Sequence, residues 1–467
     1  MSLPATDCPR CAQLLARVAQ LEQTVRDLNA RLGQNASNSS LPPSANPPAA
    51  PKPVTKKPSG KKTGGQPGHP GASRLRLPPE RVTHTIPLIP SHCERCRGPL
   101  PEQPGPADPE PTWHQYAELP RLAAVVTEYQ GHARTCGGCG HVTRARIPAE
   151  VRAHTVGPRL AAALGYLAGS QHVTQRGLEE TAEALFEVPV SLGGINNLQD
   201  ELSEALAPPH QEIGDRVRQA EFKNVDETGW KQAGQRCWLW AAVGAGAAYF
   251  LVQAGRGAEA LRALLGGAVQ GVIGSDRWSA YQRVPLAQRQ VCWAHLKRDF
   301  QAMADRGGPA AAVGEELLWL TGLLFELWYK VRDGTRGRRW LQRQLAWLRP
   351  DVRVTLERGA ACGCAATAGT CAKVLEVEEA LWTFAHVEGV EPTNNAAERA
   401  LRPAVLRRKR SFGSHSAAGC TYVSRLLSVV QTRRLQGGSV LEYLRQALEA
   451  YRDGRPAPTL FPATENT

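Results

Sequence analysis

The chain has 467 residues, of which 42% are hydrophobic and 21% charged, enough for a sizeable core and for more than one domain. Its 56 lysines and arginines outnumber 43 acids, and a formal net charge of +13 points to a polyanionic partner, most simply nucleic acid, ahead of an acidic membrane surface. The start, MSLPATDCPRC, lacks a basic segment followed by an apolar one, so the twelve cysteines are expected to be metal ligands and free thiols of a cytoplasmic protein rather than disulfides.

In residues 1–34, Leu14, Val18, Leu21, Val25, Leu28 and Leu32 alternate spacings of four and three. That a/d seam predicts a leucine-zipper-like helix, with Thr6 or Asp7 as its cap and Gly33 at its end, able to pair with a second copy. Residues 35–79 are dominated by Pro, Gly, Ser and Lys and read as an extended linker. Lys52, Lys56, Lys57, Lys61 and Lys62 make it a basic arm suited to phosphates.

Residues 80–150 carry short extended runs and the pairs Cys93-x-x-Cys96 and Cys136-x-x-Cys139. Four thiolates suit a tetrahedral structural zinc ion, and Gly137, Gly138 and Gly140 permit a tight knuckle. Cys8-x-x-Cys11 has no evident partner pair and is read as unmetallated; Cys362, Cys364 and Cys371 carry little signal. Residues 151–210 turn helical, as GPRLAAALGYLAGSQ, TQRGLEETAEALFEV and SLGGINNLQDELSEAL. The last two fit a helix-turn-helix with Ser191 capping the second, or ordinary helical packing.

From Glu221 the pattern becomes strand-like. The uncharged run CWLWAAVGAGAAYFLVQAG approaches the length of a membrane span, but Gly244 and Gly246 divide it. Two buried strands joined by a glycine turn are expected, with no membrane partner. Asp226 and Asp276 end hydrophobic strands in KNVDETGW and GVIGSDRWSAY. A helix-rich, tryptophan-rich block follows over Glu315–Trp347, and residues 456–467 read as a loose tail.

In EPTNNAAERALRPAVLRRKRSFG, Glu398 stands at a helix start ahead of Arg399, Arg402, Arg407, Arg408, Lys409 and Arg410. Either Asn395 is the N-cap and Glu398 closes a capping box, or Glu398 holds a metal ion while the cations hold a polyanion. At helical spacing Arg402 could also pair with Glu398. Strand–Asp, hairpin, strand–Asp, then a helix bearing an acid is the layout of an RNase H-like fold. Such a cluster suits phosphodiester chemistry: two Mg²⁺ ions about 4 Å apart neutralise the attacking and leaving oxygens, and relieve the repulsion among the acids. Glu227 is a weaker candidate, because the next strand residue points to the opposite face.

VDETGW, SDRWSAY, CWAHLKRDF and NNAAERALRP with RRKRSFG, preceded by NSSLPPS, GGQPGH and the double CxxC, resemble transposases of the insertion sequence sixty-six family over nearly the whole chain. The resemblance implies a multidomain α/β chain: an RNase H-like core in residues 211–301 and 382–455, interrupted by a helical insertion at 302–381. It implies a DDE triad of Asp226, Asp276 and Glu398 with Mg²⁺ or Mn²⁺, and cleavage and strand transfer at transposon ends. It implies contacts to terminal inverted repeats and target DNA, a homodimer or higher multimer, nucleoid association, and accessory proteins of the same element. Arg277-Trp278 stands where the family pattern has Gly-Tyr. His295 is expected to orient DNA or a water, or to pack; Trp230 and Trp278 are expected to pack in the core or to stack on a flipped base. The rival readings are a catalytically decayed zinc-containing DNA-binding protein and an RNase H-like nuclease without strand transfer.

Overall fold

The computed structural model describes residues 9–32 and 75–462. They belong to two units, Lys52–Ala123 and the combination of Met1–Pro51 with Ala124–Thr467. Lys52, Lys56, Lys57, Lys61, Lys62, Cys8 and the expected caps Thr6, Asp7 and Gly33 lie outside the described residues.

The heptad seam falls on α1, Pro9–Leu32, and Leu14, Val18, Leu21 and Val25 are exposed along it. In the unit Lys52–Ala123 the described residues are largely irregular. Leu77 and Gln115 exchange two hydrogen bonds, Leu77 N–H to Gln115 Oε1 (2.7 Å) and Gln115 Nε2 to Leu77 O (3.0 Å).

Past Ala124 the other unit continues with an exposed hairpin, β1 (Ala133–Thr135) and β2 (Val142–Arg144). The helical stretch follows as α2 (Ala149–Arg152), α3 (Pro158–Ser170), α4 (Gln175–Phe186), α5 (Leu192–Ala205) and α6 (Ala207–Gln219). Ser191 caps α5 as expected, accepting from Gly194 N–H at 3.2 Å. The expected helices stop before α6, although prolines in a first turn are compatible with a helix start.

Three antiparallel strands come next: β3 (Phe222–Gln232), β4 (Gln235–Gly244) and β5 (Ala247–Gln253). Both turns are two residues long with left-handed backbone, Ala233 (φ 48°) with Gly234 (φ 80°) and Ala245 (φ 51°) with Gly246 (φ 72°). That geometry matches the strand twist and divides the apolar run into a hairpin. No described helix is long and apolar enough to cross a membrane.

The helix α7 (Ala258–Leu265) leads to β6 (Val272–Ser275), and β7 (Arg289–Val291) follows. Both are parallel to β3, and the sheet order is β5-β4-β3-β6-β7. A helical block then runs through α8 (Trp293–Asp305), α9 (Gly308–Arg332), α10 (Arg338–Ala360), α11 (Ala365–Leu375) and α12 (Thr383–His386). It buries its own apolar cluster around Trp293, Phe300, Leu320 and Leu356.

The chain returns to the sheet through α13 (Asn395–Ser411), α14 (Ala417–Leu435) and α15 (Val440–Arg452). The edge strand β5 would leave N–H groups unpaired. α14 covers it with hydroxyls one turn apart: Thr432 Oγ1 accepts from Ala248 N–H (3.0 Å), Ser428 Oγ from Phe250 N–H (2.9 Å), and Ser424 Oγ from Val252 N–H (3.1 Å). The architecture is a helix-rich mixed α/β fold on one mixed sheet.

Candidate active site

The parallel register between β3 and β6 pairs Phe222 with Val272, Lys223 with Ile273 and Asn224 with Gly274. Continued by two residues, the same register sets Asp226 beside Asp276, just past the end of β6. Adjacent strands lie about 4.8 Å apart, so the two carboxylates become neighbours although far apart in the chain. Asp276 Oδ1 accepts the Trp278 N–H at 2.8 Å, which fixes its orientation.

Burial first, then the charges of Glu227, Asp276 and Glu398, hold the Asp226 carboxyl well above the ordinary carboxylate range. Burial also raises Asp276, opposed by the Trp278 N–H and by Arg256 and Arg277. Burial and the neighbouring carboxylates thus both disfavour the ionised forms.

Glu398 lies in the first turn of α13, which packs over β3 and β4. The capping-box expectation is corrected here. The helix starts one residue earlier than required, with Asn394 as its N-cap, so Glu398 stands one position too far along. The Asn394 side chain is fully buried and donates from Nδ2 to Val225 O (3.3 Å), which docks the helix start onto β3 next to Asp226.

The Glu398 carboxylate faces α8. Arg298 Nη2 is 3.4 Å and His295 Nε2 3.5 Å from its Oε1, whereas the expected pairing with Arg402 does not form. Burial, then Arg298 and Arg277, push His295 down to about 3, so its contact to Glu398 is that of a neutral imidazole. Arg277 Nη2 reaches Asp299 Oδ2 at 2.6 Å. Sequence reading missed Arg298 and Asp299, although they follow His295 at spacings of three and four in CWAHLKRDF and so share its helix face. Among the described residues, no three His, Cys, Asp or Glu side chains are grouped tightly enough to hold a metal ion. The oxygen donors of Asp226, Asp276 and Glu398 are of the hard type that magnesium or manganese takes.

Glu227 points away from Asp226, as its strand position requires. It is fully buried, accepting from Tyr281 Oη at 2.5 Å and from Arg256 Nε at 2.6 Å. Trp230 is in the core and donates to Ser414 Oγ (3.2 Å), so it cannot stack on a base; Trp278 is partly exposed.

The cations of α13 divide into two sets. Arg407 Nη1 donates to Ala168 O at 2.9 Å, and Arg408 Nη1 donates to Gly229 O and to Thr228 Oγ1. Both guanidinia are thus used inside the fold, which corrects the expectation that they contact phosphates. Arg399, Arg402 and Lys409 are exposed, and Arg410 is exposed while its Nη1 also donates to His172 O at 3.5 Å.

The pairs Cys93/Cys96 and Cys136/Cys139 sit on the same type of turn. Arg97 N–H bonds to Cys93 O and Cys93 N–H to Gly98 O; Gly140 N–H bonds to Cys136 O and Cys136 N–H to His141 O, all 2.9 Å. The residue after each second cysteine, Arg97 (φ 62°) or Gly140 (φ 71°), is left-handed. Backbone N–H groups of Cys96 and Arg95 lower the Cys93 thiol, and those of Gly138 and Cys139 lower the Cys136 thiol, favouring thiolates.

Residues 154–422 match the family described as "Transposase IS66 family", and residues 8–75 match a family of unknown function, DUF6444. An uncharacterized protein of Sinorhizobium fredii, y4qI, is 28% identical over 280 residues, 52% of this chain. The chain spans about half, 50%, of the length of that curated relative.

Proposed function

The chain belongs to the transposase IS66 family, and from that premise we propose that it cleaves and joins DNA strands at the ends of a mobile element. Asp226, Asp276 and Glu398 are its catalytic carboxylates. The observation that carries this reading is the β3/β6 register that sets Asp226 beside Asp276, with Glu398 near enough to raise the Asp226 pKa. The sheet order, three antiparallel strands followed by two parallel ones, supports an RNase H-like core.

Asp226 and Asp276 would hold a magnesium or manganese pair, and Glu398 would complete the set. Such ions supply Lewis-acid neutralisation of the attacking and leaving oxygens. The protein's own residues do the rest. Trp278 N–H orients Asp276, Asn394 docks the helix carrying Glu398, and neutral His295 with Arg298 holds the Glu398 carboxylate at the site's edge. Arg399, Arg402, Lys409 and Arg410 contact phosphates. Each of the cysteine turns, at Cys93/Cys96 and at Cys136/Cys139, would present a pair of sulfur ligands of the kind zinc takes.

The test uses labelled DNA carrying the inverted repeats that flank the gene, with Mg²⁺. Nicked and joined products from the wild type, and at least 10²-fold less from Asp276→Asn, are expected. Cleavage undiminished in Asp276→Asn removes the proposed site. Nicks without joined products favour a nuclease, and binding without any cleavage favours a DNA-binding protein.

A further inference from the structure

Two tryptophans and two arginines alternate in a stack beside the carboxylates. The Arg236 guanidinium lies 4.8 Å from the Trp238 ring centroid, Arg256 lies 4.7 Å from the same ring, and Arg256 lies 3.8 Å from the Trp278 ring. Arg236 and Trp238 are on β4; Trp278 follows two residues after Asp276.

The outer member is fixed in place. Trp278 Nε1 donates to Arg256 O at 2.8 Å, its backbone N–H is held by Asp276, and Arg256 covers a ring face. Arg256 is itself anchored by the buried Glu227, whose other oxygen takes the Tyr281 hydroxyl. Yet Trp278 remains 38% exposed. A core tryptophan would be covered, and a surface tryptophan without a role would not be held by three contacts. A rigid, open indole backed by a guanidinium is a stacking platform, and every nucleobase offers a π-face to one.

We propose that Trp278, backed by Arg256, is a binding site for an unpaired nucleobase of the DNA strand entering the carboxylate site. The inference rests on the functional reading above and adds a residue that holds the substrate. Tethering Trp278 to Asp276 links the stacked base to the carboxylate. A base drawn from the duplex onto Trp278 brings the adjoining phosphate toward Asp276, and the unstacking it requires is lowest where pairing is already lost.

The experiment uses the full chain and short single-stranded oligonucleotides containing 2-aminopurine, a fluorescent base quenched by stacking, without divalent cation. Quenching by the wild type is expected. Trp278→Ala should lose the quench and about tenfold in affinity, Trp278→Phe should retain most of both, and Trp319→Ala, at an exposed tryptophan on α9, should match the wild type. In the flanking-repeat cleavage assay, Trp278→Ala should slow a fully paired substrate and recover on one with mismatches at the scissile phosphate. Equal quenching by wild type and Trp278→Ala overturns the proposal, as does equal slowing of paired and mismatched substrates with folding intact by circular dichroism. Quenching lost in Trp278→Ala, but no cleavage by any protein, keeps the base platform and removes the transposase reading. Cleavage without quenching does the reverse.

Discussion

At the scale of the residue, Asp226 defines the site through what surrounds it. Burial and the charges of Glu227, Asp276 and Glu398 all favour its protonated form. A folded-state pKa above the unfolded value, about 4, means that the folded chain keeps a proton the unfolded chain releases. Its contribution to stability is present below that value and is lost as pH rises through the raised one; Asp276 shifts in the same direction. The metal-free protein should therefore melt at lower temperature as pH rises out of the ordinary carboxylate range. Asp226→Asn, which keeps the shape and removes the charge, should raise the metal-free melting temperature at neutral pH by roughly 2 °C or more. Magnesium should stabilise the wild type and leave Asp226→Asn nearly unmoved. Scanning fluorimetry across pH, with and without Mg²⁺, reads all three. A wild type that magnesium does not stabilise, or a variant that it stabilises equally, contradicts the assignment of Asp226 as a ligand.

At the scale of the element, α14 and β5 fit because their repeats nearly match. Two residues of strand advance about 6.8 Å and four residues of helix about 6.0 Å. Hydroxyls at Ser424, Ser428 and Thr432 thus keep step with the N–H groups of Val252, Phe250 and Ala248. Ser428→Ala would leave the buried Phe250 N–H without its acceptor, at a cost of about 1–3 kcal/mol. Ser279→Ala, at an exposed position, should stay within about 0.5 kcal/mol. Urea denaturation compares the two, and equal midpoints would show that the ladder contributes nothing. The same elements show what the sequence could disclose. The hairpin of β4 and β5 was readable because an apolar run broken by Gly244 and Gly246 has few other solutions. The three-residue β7 was not, since nothing so short carries a periodicity. The spacing of Ser424, Ser428 and Thr432 is visible in SRLLSVVQT, but no local signal says which strand edge it faces. Asn395 was the legible cap candidate; that Asn394 caps the helix and tethers it to Val225 was not readable, because the tether depends on a strand about 170 residues away. Asp276 does follow the end of β6 as expected, but Asp226 lies inside β3 (Phe222–Gln232) rather than at its end, and the adjacency of the two required the register.

At the scale of the whole molecule, the net charge of +13 divides between internal and external work. Arg407 and Arg408 donate to carbonyls of α3 and β3, which engages them inside the fold. Arg399, Arg402 and Lys409 stand exposed on the helix that brings Glu398 to the site. A cation that neutralises a phosphate releases condensed counterions, so each contact adds about 0.9 to the slope of log affinity against log salt. Arg402→Gln should lower that slope by roughly one and weaken binding at low salt while leaving the urea midpoint in place. Arg408→Gln should leave the slope unchanged and lower the midpoint, because the Gly229 carbonyl loses its donor. The two measurements separate the sets: affinity by fluorescence anisotropy from 50 to 200 mM salt (a range of order tenfold or more in affinity for several contacts), and stability by denaturation. If Arg408→Gln alone lowered the salt slope, α13 would meet DNA with the face turned toward β3, and the docking of Glu398 beside Asp226 would have to open for substrate to enter.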